Sequence, residues 1–247
     1  MKRLGLILIV LFFTNIFAQD KITADDILNR VDQNQISSTV KSLSKMIIFY
    51  EGREMEKKMS SLAVGTERSF AEFTFPARDK GTKYLRIKDE MWMYLPSAEK
   101  IIKIAGHMLR QSMMGSDFSY EDALEQTELR KKYDAEIIGE EQVDNKDCYV
   151  LELTANTKKV TYYRRKIWVD KQRYVPLKAE RYAKSGKLLK LFSVKKVEKF
   201  GERYFATHMV MEDKLRFNSR TEMIIESIEF DINIPESTFS LRNLEKR

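Results

Sequence analysis

From Lys45 onward the chain alternates apolar and polar side chains in short runs. A period of two fits strands and not helices. KMIIFYEG (45–52) leads through Gly52 and Arg53 into EMEKKMSSLAV (54–64), a hairpin pattern. ERSFAEFTF (67–75), GTKYLRIKD (81–89), MWMYLP (91–96) and AEKIIKI (98–104) continue it. Seven further runs follow between Asp134 and Asp231, joined by turns such as Asp170-Lys171 and Ser185-Gly186. Roughly a dozen strands with short connections predict an antiparallel meander. The four prolines, Pro76, Pro96, Pro176 and Pro235, stand at or near strand ends, where a missing donor costs least. A sheet this long curls, and closes or nearly closes. One helix is predicted before it, over Thr23–Asn34: Thr23 caps it, Asp26 sits in its first turn, and Ile27, Leu28 and Val31 form one apolar stripe.

The chain begins with an address. Lys2 and Arg3 precede an apolar run, Leu4–Phe13, and a small residue, Ala18, stands before Gln19. This order describes a secretory signal peptide over residues 1–18, its apolar core too short to span a bilayer. The 229 residues that remain suffice for one large β domain or two small ones, exported from the cytoplasm and not lipidated, since no Cys follows the apolar core. Without Lys2 and Arg3, 42 basic residues face 37 acidic ones, interspersed along the chain. That is a solvated surface with a mild basic bias, and no basic helix or glycine-rich basic run points to nucleic acid. Cys148 is the only cysteine, so no internal disulfide forms.

One segment breaks the alternation. Gly106–Tyr133 has no strand period and mixes Met108, Leu109, Met113, Met114 and Phe118 with Arg110 and Asp117. A long connection in an otherwise tight meander is a functional candidate. Ser116 or Ser119 can cap a short helix there, with Glu121 and Asp122 in its first turn. Met108, Met113, Met114 and Phe118 are expected to form a lid. Arg110 and Asp117 are expected to meet across Gly115 and fix the loop, so that replacing Arg110 loosens it. Phe73, Phe75, Leu85, Ile87, Met91, Met93 and Leu95 alternate along neighbouring runs and are the candidate wall of an apolar cavity.

Catalytic patterns are absent from the sequence. His107 and His208 have no partner at metal-ligand spacing, and no phosphate loop, dinucleotide fingerprint or nucleophile elbow occurs. Asp117, Glu121 and Asp122 read as an acidic helix start rather than a glycosidase pair. No enzyme, cofactor or metal is expected.

MWMYLPSAEKIIKI (91–104), Arg110 and SMMGSDFSYEDAL (112–124) together resemble the signature of the LolA-like outer-membrane lipoprotein-sorting proteins. KIWVDKQRYVPLKAERYAKSGKLLKLFSV (166–194) resembles the paired strands of that family, and IPESTFSLRNLEK (234–246) its closing segment. The resemblance implies a single mainly β domain over residues 19–247, a strongly curved antiparallel sheet forming an incomplete barrel with helices covering its concave side. It implies a periplasmic carrier that shields lipid or lipoprotein acyl chains on the way to the outer membrane. An inner-membrane exporter and an outer-membrane acceptor are the partners it suggests. The alternative is a non-catalytic scaffold or lipid-sensing accessory protein of a membrane transporter. A carrier calls for a continuous apolar cleft of several hundred Å³; the alternative calls for an interior filled by side chains.

Overall fold

A computed structural model describes residues 22–35, 37–124, 129–158 and 160–246. The expected signal peptide, residues 1–18, lies outside the described residues. The first helix, α1 (Ala24–Gln35), begins where predicted. The Thr23 hydroxyl accepts from the Asp26 amide at 3.1 Å, and the Asp26 carboxylate accepts from the Thr23 amide at 3.0 Å. This reciprocal cap satisfies two donors that a helix start leaves open.

Thirteen strands follow. The first six are β1 (Thr39–Tyr50), β2 (Arg53–Val64), β3 (Arg68–Phe75), β4 (Lys83–Ile87), β5 (Glu90–Leu95) and β6 (Lys100–Ile104). After the connecting segment come β7 (Tyr133–Val143), β8 (Lys146–Ala155), β9 (Arg164–Asp170), β10 (Pro176–Tyr182), β11 (Leu188–Phe200), β12 (Arg203–Asp213) and β13 (Arg220–Phe230). Two short helices are α2 (Tyr120–Leu124) and α3 (Leu241–Glu245). All strands belong to one antiparallel sheet, in the order β6-β5-β4-β3-β2-β1-β13-β12-β11-β10-β9-β8-β7. Two meanders are therefore joined through β1 and β13, whose register runs from Val40 opposite Phe230 to Phe49 opposite Arg220.

The expected strongly curved, incomplete barrel is not what forms. The sheet is mainly β and large but stays open, with β6 and β7 at its two edges and no ladder between them among the described residues. Closure needs the edge strands to exchange backbone hydrogen bonds. Here β6 is five residues long and carries Lys100 and Lys103, and β7 is bulged between Ile137 and Gly139. Short, lysine-bearing or bulged strands are how sheets end rather than continue. The helices also do not share one side. α1 packs Ile27, Leu28 and Val31 on Leu151, Leu153, Ile167 and Val169. α3 packs Leu244 on Leu85 and Tyr94 of the opposite face.

The edge positions of β6 and β7 set the course of the chain between them. Residues 105–124 and 129–132 lie over one face of the sheet as a strap, touching in turn the β3–β6 region, β1 and β13, and the β7–β10 core.

Candidate functional site

The strap is a series of short turns pinned at acidic residues. Met113 donates its amide to the Phe118 carbonyl at 2.8 Å, and Ser112 bridges to Ser119. Met114 takes a left-handed conformation at the tip of this loop, φ 54°. α2 is capped by Ser119, which accepts from the Asp122 amide at 3.1 Å and donates its own amide to the Asp122 carboxylate at 2.7 Å.

Three carboxylates of this short stretch are buried: Asp117, Glu121 and Asp122. The Asp122 carboxylate accepts from Tyr162 at 2.8 Å, from Lys190 at 2.8 Å and from Arg181. Asp117 accepts from the hydroxyls of Ser219 and Thr221, both at 2.6 Å, and from the Asp213 amide at 3.2 Å. Lys190 also donates to the Asp117 carbonyl at 2.5 Å, so one ammonium ties both acidic positions to β11. Glu121 accepts from the Thr161 amide at 3.0 Å and from its hydroxyl, fastening the β8–β9 loop. Buried carboxylates persist only when their oxygens are satisfied, and all three are hydrogen-bonded, Asp122 being also paired with two cations.

Burial by itself raises the Asp122 pKa, but the Arg181 and Lys190 charges outweigh it and hold the carboxyl well below the ordinary carboxylate range. The sign of the pH effect follows. Unfolded Asp122 binds a proton at higher pH than folded Asp122, so its contribution is fully present above its ordinary value of 3.8 and fades as pH drops below that. Strap protection in hydrogen exchange is expected to stay level from neutral to mildly acidic pH and to weaken only below about pH 4. A loss centred near neutral pH would contradict this assignment.

The expected pair of Arg110 and Asp117 does not form. Arg110 is exposed and lines a cleft of about 350 Å³ with His107, Lys158 and Thr161. The guanidinium nearest Asp117 belongs to Arg216, at 3.9 Å. The seven candidate wall residues divide. Phe73, Met91, Met93 and Leu95 lie together on the face beneath the strap. Leu85 and Ile87 lie on the other face, with α3. The two-residue turn after β4 pairs Ile87 with Glu90, so odd positions of β4 share a face with even positions of β5. Phe75, at the end of β3, is 46% exposed. Of the candidate lid, Met108, Met113 and Met114 pack onto the Phe73 cluster, while Phe118 joins Met46, Ile48 and Met223.

These contacts are part of a larger pattern. Met46 stands opposite Met223, which stands opposite Met209, and Met55 and Met59 extend the row onto β2. Met211 continues it next to Thr221. With the β5 and strap methionines, all eleven methionines after Met1 lie on this one face or in the strap over it.

Burial pushes the Cys148 thiol up to about 11, which leaves it unreactive at neutral pH. His208 meets Glu222 at 2.9 Å on the sheet. No cluster of His, Cys, Asp or Glu among the described residues is placed to hold a metal. No described helix is long and apolar enough to cross a membrane.

Residues 65–246 match the model of a family described as "-like: Uncharacterized protein". The chain belongs to that family. It is 30% identical to a DUF1329 family protein from Desulfovibrio piger, with a TM-score of 0.84 over 89% of this chain and 96% of the other. A domain named for outer membrane lipoprotein sorting, from Vibrio parahaemolyticus, superposes with a TM-score of 0.80 at 23% identity, over 88% of this chain and 96% of that one. A LolA superfamily protein from Nitrosomonas europaea does so with a TM-score of 0.76 at 24% identity, over 90% and 100%. These last two share the fold. None of the curated proteins matches the chain.

Sequence reasoning missed the anchors of the strap, although a signal for them exists. Arg181 has the same parity in β10 as buried Ala179, and Lys190 the same parity in β11 as Phe192, which packs on the core. A cation at a core-facing position of an alternating strand calls for a buried carboxylate, and the acidic stretch Asp117–Asp122 supplies it.

Proposed function

We propose that this protein is a periplasmic carrier that holds lipid or lipoprotein acyl chains against the methionine-rich face and delivers them toward the outer membrane. The observation that carries this reading is the gathering of every methionine after Met1 at one strap-covered surface. Thioether side chains are unbranched and polarizable, and they repack around flexible apolar ligands better than branched ones do. Each acyl CH₂ hidden from water contributes about 0.8 kcal/mol, so such a carrier needs apolar area and no catalytic groups. In this reading Phe73, Met91, Met93 and Leu95 form the floor, and Met108, Met113, Met114 and Phe118 the cover. The segment 1–18 directs export, an inner-membrane exporter loads the carrier, and an outer-membrane acceptor unloads it.

A second reading, a non-catalytic accessory protein of a membrane transporter, is favoured by the close filling beneath the strap, where Phe73, Met46 and Ile48 are at most 1% exposed. One experiment separates the two. The protein is purified from its native cells and its bound lipids and lipoproteins are identified by mass spectrometry. The carrier reading expects acylated species that co-purify with the wild type and are lost from Met113→Asp/Met114→Asp. Repeated recovery of an empty protein without affinity for acyl chains rejects it in favour of the accessory role.

A further inference from the structure

We propose that the β12–β13 turn docks the protein on an anionic phospholipid surface, with Leu215 and Phe217 entering the lipid interface and basic residues around them engaging head groups. Phe217 is 86% exposed and Leu215 58%, well above the next most exposed large apolar residues among those described, Phe75 and Ile138 at 46%. Two such side chains at one tip carry a standing hydration cost that contact with an apolar phase removes.

The tip is held in this pose. Between the two apolar residues, Arg216 points back into the protein, donating to the carbonyls of Gly115 at 3.1 Å and Ser116 at 2.9 Å and stacking over Tyr50 at 4.4 Å. The Leu215 amide donates to the Asp213 carboxylate at 2.9 Å, and Arg220 stacks over Phe49 at 3.9 Å. With their neighbours fixed inward, Leu215 and Phe217 point outward without the turn having to reorganise.

Charge selects the occupant. At this end of the sheet the β10–β11 turn presents Lys184 and Lys187, and the start of β2 presents Arg53 next to Glu51 of the β1–β2 turn, all exposed, beside Lys214 of the tip itself. Turns at the opposite end are acidic on balance, with Glu67, Asp89, Asp144, Glu202 and Asp231 against Lys88, Lys171 and Arg173. The molecule is thus polarised along its strands, with its most exposed apolar residues at the basic end. Stable attachment to a bilayer takes two signals, a modest apolar insertion and a basic patch, and this end supplies both.

The inference stands apart from the carrier reading, since a scaffold would dock in the same way. The mature chain is floated with vesicles of phosphatidylcholine alone or phosphatidylcholine mixed with phosphatidylglycerol. Wild type is expected to bind the mixed vesicles, weakly at high salt, and to bind phosphatidylcholine poorly. Leu215→Ser/Phe217→Ser is expected to lower the affinity for mixed vesicles about tenfold or more with an unchanged melting temperature. Lys184→Glu/Lys187→Glu, on a separate turn, is expected to weaken it by a similar factor. Wild type left unbound by mixed vesicles, or either variant binding as wild type does, overturns the proposal. So does capture of an acidic protein by this tip without vesicle binding. Acyl-chain retention in solution is measured on the wild type alongside. Its absence with vesicle binding intact counts against the carrier reading alone, and its presence without vesicle binding counts against the docking proposal alone.

Discussion

Replacing Asp122 with Ala lowers the stability of the folded chain by about 3–5 kcal/mol. The substitution removes the carboxylate that Lys190 and Arg181 share and leaves both cations buried against the strap without it. It also removes the reciprocal cap of α2 and the acceptor for the Tyr162 hydroxyl. Urea titration of the wild type and the variant checks this, with an unchanged slope showing that the denatured state is the same. A difference below about 1 kcal/mol would place the cluster among surface ion pairs and refute the anchoring role. Substituting all three residues with apolar side chains of similar volume is expected to recover much of the loss, because desolvation then costs nothing.

Asp117→Ala is the second large effect, about 2–4 kcal/mol, since it strands the Ser219 hydroxyl and the Asp213 amide and takes the acceptor from Thr221. Arg110→Ala serves as the contrast and is expected to change stability by less than about 0.5 kcal/mol, because its side chain is exposed and does not reach Asp117. Hydrogen exchange over the strap reads the difference directly: protection falls in Asp117→Ala and stays at wild-type level in Arg110→Ala. Loss of protection in both would restore Arg110 as a loop-fixing residue. Lys190 bonds the Asp122 carboxylate but only the main-chain carbonyl of Asp117, which alanine keeps, so a departure from additivity between Asp117→Ala and Asp122→Ala would report coupling through the strap backbone.

The strap also bears on the methionine face. The residues that pin it, Asp117 and Asp122, lie on either side of Phe118 and follow Met113 and Met114, so in the carrier reading loosening the anchors also loosens the proposed cover. A variant that weakens the anchors therefore tests the carrier reading from the opposite direction to Met113→Asp/Met114→Asp: it should exchange acyl chains faster while still accepting them.

Local pattern was enough to recover the strands and α1. Each alternating run from Lys45 to Asp231 became a strand, and the reciprocal Thr23 and Asp26 contacts start α1 where the capping residues stand. The break at Gly106 was equally legible, because loss of the two-residue period is visible without a partner. α3 was not, since five residues carry too little periodicity to distinguish a helix from a tail; Ser240 caps it, and the burial of Leu244 on Leu85 holds it in place.

What lay beyond the sequence was relative placement. Parity within β4 groups Leu85 with Ile87, but whether that set faces Met91 or Trp92 depends on the register of one turn. Closure of the sheet depends on whether β6 and β7 pair, a contact between strands that no local window contains. The partner of Asp117 depends on β12 and β13, about a hundred residues away along the chain, and not on the nearby Arg110. The sequence by itself determined strands, turns and the position of the interruption, because side-chain alternation and capping act over a few residues. The tertiary structure alone decided which face each set occupies, which charges meet and that the sheet stays open, because those outcomes are set by long-range pairing and by the burial of charge.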